Sequence, residues 1–174
     1  MQTKPIEIDP TNLNRVLKEL AKAYTKALQD ILGDSLVAVV LFGSVARGEA
    51  TSRSDIDLLV IVSGLPNGRL ARQQYLEVAD DRLESRLLAL RHQGVLTDFC
   101  PVLKTPEEAE RVTPLYFDLV EDAIILHERE RFFSTILDGL RDSFKRLGAR
   151  RLKRGQIRYW ELKPDYTPGE VFEI

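Results

Sequence analysis

A chain of 174 residues fits one ordinary domain with a modest C-terminal extension and is too short for two full catalytic domains. Its 44% apolar and 30% charged residues make a globular composition, and 25 Lys and Arg against 27 Asp and Glu leave no global field to draw it onto nucleic acid or anionic lipid. The lone Cys100 excludes an intrachain disulfide, and with only His92 and His127 beside it a Cys/His zinc cage is excluded as well.

No apolar run reaches the length of a bilayer span, and the opening MQTKPIEIDP has neither the charged nor the apolar region of a signal peptide. The expected location is the cytoplasm, with no membrane contact.

Asp9-Pro10-Thr11 reads as a helix start. Leu13, Val16, Leu17, Leu20, Tyr24, Ala27, Leu28 and Ile31 then follow helical spacing up to Gly33. Leu36 to Phe42 is an uninterrupted apolar run, as expected of a strand buried on both faces. A second apolar run, Ile56 to Val62, begins inside an acidic motif and ends in the turn formers Ser63 to Gly68. Leu76, Ala79, Leu83, Leu87 and Leu90 predict a helix closed by Gly94. A third strand is expected from Val95 to about Leu103, with Pro101 pointing to a short or edge strand. Thr105-Pro106-Glu107-Glu108 predicts another helix start, Ala123 to Leu126 a short strand, and Phe133 to Leu147 a helix stopped by Gly148.

The last stretch differs in charge. Residues 141 to 158 hold eight basic side chains against one acid, so the segment is +7 and the remainder −9. Its first reading is the solvated face of a helix, its second a surface for nucleic acid or an acidic partner. Residues 159 to 169, with Tyr159, Trp160, Tyr166 and two prolines, suggest an extended segment pinned to a surface by its rings. The expected division is a catalytic domain over 1–130, with the C-terminal helix, basic segment and aromatic tail of 131–174 packed on it.

The window from Leu41 to Val60 carries chemistry. A buried strand runs into Gly43-Ser44, a short helical stretch follows, and Asp55-Ile56-Asp57 opens the next strand. Glycine allows close approach of a phosphate, and the Ser44 hydroxyl with the following amides offers donors to its oxygens. Residues two apart on a strand share a face, so Asp55 and Asp57 project together and repel unless a cation lies between them. Oxygen ligands of this kind suit Mg²⁺ or Mn²⁺. Asp98, a carboxylate in an otherwise apolar run, is the expected third ligand. Cys100 is expected to be a small core residue. Arg47 has two roles open to it, orienting the motif helix or contacting a phosphate.

This window resembles the minimal nucleotidyltransferase branch of the DNA polymerase beta superfamily, whose pattern is Gly-Ser, ten residues, Asp-x-Asp. Gly43-Ser44, the ten residues Val45 to Ser54 and Asp55-Ile56-Asp57 match it without a gap, and Ala46-Arg47-Gly48 and Ser54 meet its extended form. The resemblance implies an α+β, two-layer nucleotidyltransferase fold with a small mixed sheet packed against helices. It implies transfer of a nucleoside monophosphate, usually AMP from ATP, to an acceptor hydroxyl with release of pyrophosphate. Gly43 and Ser44 would contact phosphate, while Asp55, Asp57 and Asp98 would be the catalytic metal ligands. The acceptor could be a partner protein, a small molecule or a nucleic acid end. Two other readings stay open: an antitoxin-like module that neutralises a helical partner protein, and a nucleic-acid binder working through 141–158. The Arg86 to His92 spacing, reminiscent of helical ribonucleases associated with the family, is treated as chance.

Overall fold

The computed structural model describes residues 9–155 and 157–174. Residues 1–8, which hold most of the opening segment, lie outside that range, and so do the side chains of Pro10 and Thr11 at the expected helix start.

A four-stranded mixed sheet organises the chain: β1 (Leu36–Phe42), β2 (Ile56–Val62), β3 (Phe99–Lys104) and β4 (Ile124–Glu128), in the order β3-β2-β1-β4. β1 runs antiparallel to β2 and β4, and β3 is parallel to β2. The bounds of β1 and β2 are those of the two apolar runs. Apart from Asp57 at the start of β2, these strands carry no polar side chain, so helices must cover both sides. α1 (Pro10–Leu32) and α3 (Arg69–His92) pack on one, against Val39, Leu41, Ile56, Leu58, Val60 and Val62. α4 (Pro106–Ala109), α5 (Pro114–Asp122) and α6 (Phe132–Leu147) pack on the other, against Ala38, Val40, Leu59 and Ile61. The expected mixed sheet and helices are present, with α5 and α6 adding a layer to the expected two. Among the described residues, no helix is long and apolar enough to cross a membrane.

Three expectations need correction. The third strand begins at Phe99, not Val95, because the backbone before it is engaged elsewhere. The Val95 amide donates to Leu90 O at the end of α3, and the Leu96 amide to Ser52 O in the motif loop at 2.7 Å. Only after that can the chain join β2. Cys100 is exposed rather than in the core, because β3 is the edge strand and its register sets Cys100 beside Asp57. The basic stretch is helical only to Leu147. Beyond Gly148 it forms a hairpin of β5 (Arg150–Arg154) and β6 (Ile157–Glu161). Trp160 of β6 packs on Phe144 of α6 with ring centroids 4.6 Å apart, so the aromatic residue does pin the segment. α5 is an additional element. Its signal was Thr113-Pro114 followed by Tyr116 and Leu119, the two residues that it buries.

Pro101 behaves as an edge residue. Ile56 N–H donates to Asp98 O, so the even-numbered backbone groups of β3 face β2 and Phe99, Pro101 and Leu103 face outward. Pro101 has no N–H to present, and the Phe99 N–H is taken by the Asp98 carboxylate at 2.9 Å. The free edge is thereby a poor template for another strand.

At the end of β3, Thr105 caps α4 in a full capping box with Glu108, whose carboxylate also takes two bonds from Arg72 at 2.7 and 2.8 Å. Thr105→Ala should cost about 1 kcal/mol of stability by loss of the cap. Urea denaturation measures it; an unchanged midpoint would show that the Arg72–Glu108 pair alone holds α4.

Candidate active site

The ten-residue spacer has a defined shape. α2 (Gly43–Arg47) leaves the end of β1 and stops at Gly48, which takes φ +77°. The loop that follows is fastened at three places: Ala50 N–H to Asn14 Oδ1 of α1 at 3.1 Å, Thr51 N–H to Ser54 Oγ at 2.9 Å, and Ser52 O to the Leu96 amide. This path returns the chain so that Phe42 and Asp57 are register partners in the β1–β2 ladder.

Gly43 therefore lies against Asp57. It takes φ +72°, and a Cβ placed there would come within 3.0 Å of Asp57 Cγ and collide with the carboxylate oxygen. Glycine is required on both counts. The turn and the aspartate pair form one site.

Burial raises the Asp57 carboxyl above its ordinary range, the neighbouring Asp55 charge raises it further, and Arg47 opposes the rise. Such a pair favours a cation, and its all-oxygen donors suit Mg²⁺ or Mn²⁺. Asp98 stands one strand over. Its N–H donates to Asp55 Oδ1 at 3.2 Å, but its own carboxylate faces the Phe99 N–H and Arg91 Nη2, the latter at 3.4 Å. Its side chain is 61% exposed, so the expected burial cost does not arise. Among the described residues, no three acidic, His or Cys side chains converge on one metal position. Desolvation, and then the carboxylates of Asp57, Asp55 and Asp98, push the Cys100 thiol up.

Arg47 lies between two acids. Its Nε donates to Glu49 at 2.9 Å and its Nη1 lies 3.5 Å from Asp122. Asp122 and Asp118, the other acids near the motif, are held by Arg151. Within the basic segment, six of the eight cations make described contacts: Arg141 to Asp138 and Val120 O, Lys145 to Asp142, Arg146 to Glu173 O, Arg150 to Glu161, Arg151 to Asp122 and Arg158 to Glu49. Much of its charge is used internally. An open cleft of about 850 Å³ runs along the outer edge of β3, lined by Arg72, Leu76, Asp80, Cys100 and Val102 among others, and Cys100 in its lining is the register partner of Asp57.

A family model described as a nucleotidyltransferase domain matches residues 21–138. The protein named "Putative protein adenylyltransferase MJ1305" of Methanocaldococcus jannaschii is 30% identical over 142 residues, 80% of this chain and 88% of that protein. A second protein of the same organism, "Putative protein adenylyltransferase MJ0141", is 38% identical over 61 residues, 35% of this chain and 61% of its own length. A crystal structure of a nucleotidyltransferase from Sulfolobus solfataricus, itself named as putative, aligns with a TM-score of 0.44 at 22% identity, over 75% of this chain and 95% of that one. The family match covers most of the chain and includes the Gly-Ser turn and the aspartate pair, so the protein belongs to the nucleotidyltransferase domain family and is a nucleotidyltransferase.

Proposed function

We propose that the protein transfers AMP from ATP to a side-chain hydroxyl of a partner protein, with Mg²⁺ or Mn²⁺ held by Asp55 and Asp57. The observation that carries this reading is the approach of Gly43 to Asp57, which sets a phosphate-receiving turn against a pair of carboxylates. Adenylyl as the group, and protein as the acceptor, are supported by the names of the two archaeal relatives.

Bound between the two carboxylates, the cation would neutralise phosphate charge and make the attacking hydroxyl more acidic. Gly43 and Ser44 receive phosphate oxygens at the turn. The acceptor hydroxyl approaches from the cleft beside Cys100 and gives its proton to the Asp98 carboxylate. Its oxygen forms the bond to the α-phosphorus, the bond from that phosphorus to the bridging oxygen breaks, and pyrophosphate leaves. For this Asp98 exchanges Arg91 and the Phe99 N–H for the acceptor, a small change for an exposed side chain.

Incubation with α-labelled ATP, Mg²⁺ and cell extract tests the reading. Label should enter protein, survive ribonuclease and be absent with Asp55→Asn; label confined to RNA or small molecules would overturn the protein acceptor. Asp98→Asn should bind MgATP within about twofold of wild type by calorimetry, yet lose transfer by about 100-fold, the usual worth of a general base. Unchanged transfer would remove Asp98 from the chemistry.

A further inference from the structure

The β5–β6 hairpin lies beyond the residues matched by the family model, yet Arg158 reaches Glu49 in the motif and Arg151 reaches Asp122, which lies beside Arg47. Arg158 of β6 grips Glu49 with both Nη atoms, the Nη1 bond at 3.0 Å. Glu49 Oε2 also accepts from Arg47 Nε, and the two guanidiniums hold the Glu49 carboxyl down at about 2. Arg151 of β5 binds Asp122 through two bonds of 2.9 and 2.7 Å, and the same Asp122 oxygen lies 3.5 Å from Arg47 Nη1. Arg151 is pinned in turn by Asp118 and Glu121, and Trp160 Nε1 donates to Asp118 at 3.3 Å. Only 14% of the Arg151 and Asp122 side chains is exposed, so water screens this pair weakly.

Each acid on Arg47 is therefore shared with a hairpin arginine. Without Arg151 and Arg158 this wall of the site would be two charges more negative, and Arg47 would be the sole cation for Glu49 and Asp122. Asp55 and Asp57 stand next to it. A nucleoside triphosphate brings several negative charges to the same place, so a wall of that sign would repel it.

We propose that the C-terminal hairpin is a positioning element for the nucleotide: Arg158 and Arg151 neutralise Glu49 and Asp122, leaving the Arg47 charge available to the polyphosphate of the incoming nucleotide. The inference rests on the nucleotide site described above. Arg151 and Arg158 act through the two acids and touch neither substrate nor metal. The charge segregation visible in the sequence thus has an internal target.

Calorimetric titration of MgATP into the full chain, alongside steady-state transfer, tests this. Arg158→Ala should weaken MgATP binding about tenfold, equivalent to about 1.4 kcal/mol, with the loss in KM rather than kcat. Arg158→Lys, which keeps the charge but not the two-pronged grip, should recover part of it. The decisive variant is Arg158→Ala with Glu49→Gln, which removes the stranded acid while keeping an acceptor for Arg47 and should restore most of the affinity. A hairpin that serves only to hold the fold together would not be rescued by a change at Glu49. If Arg158→Ala binds MgATP like wild type, or the double variant is no better than the single one, the proposal is overturned while the nucleotide site stands. If wild type itself binds no MgATP, the site reading fails and the proposal with it.

Discussion

Asp57→Asn, and equally Asp55→Asn, is expected to lower nucleotidyl transfer by about a thousandfold or more without unfolding the protein. On the proposed reading each removes one charge from the pair that would hold the metal ion, and the transition-state stabilisation such an ion supplies is several kcal/mol, roughly a factor of ten for every 1.36. The fold should survive because Asp55 lies just before β2 and Asp57 is half-buried at its start, with the apolar core below them. An asparagine at 55 also keeps the oxygen that accepts the Asp98 N–H. In the absence of divalent cations Asp57→Asn should melt no lower than wild type, since burial and the Asp55 charge both disfavour the ionised Asp57 carboxylate. Transfer and melting measured on the same samples decide the matter. Wild-type turnover in Mg²⁺ by either variant would overturn the metal-binding pair.

Gly43→Ala is expected to cost at least about 100-fold in transfer, the scale of a catalytic group displaced by about 1 Å. It should also cost about 1–2 kcal/mol of stability for a side chain at positive φ. Gly48 supplies the control. It has nearly the same φ, +77° against +72°, but nothing within 4 Å of the position its Cβ would take, whereas the Gly43 Cβ would strike the Asp57 carboxylate. Gly48→Ala should therefore lose similar stability and keep most of its transfer. Equal losses of activity in the two variants would mean that strain in α2, rather than contact with Asp57, makes Gly43 necessary.

What could be read along the chain, and what could not, divides by the range of the interactions. β1 and β2 were legible because seven consecutive apolar side chains in β1, and five after Asp57 in β2, suit strands covered on both faces. The Gly-Ser turn and the aspartate pair were legible because their spacing is local and the chain between them is one short helix and a pinned turn. Asp98 shows the limit. A carboxylate among apolar neighbours in sequence read as buried, but exposure at a sheet edge depends on strand order, which no local pattern carries. Cys100 was misplaced for the same reason.

The sequence by itself determined the Gly-Ser turn, the aspartate pair at its fixed spacing, and the strands that present them. Only the tertiary structure decided which charges face one another. Arg151 and Arg158 read as part of a solvated basic face because their acidic partners, Asp122 and Glu49, lie 29 and 109 residues away along the chain. Ion pairs across such separations have no periodicity to betray them. They form because the Trp160–Phe144 contact and the pairing of β5 with β6 carry Arg158 back to Glu49 and Arg151 to Asp122.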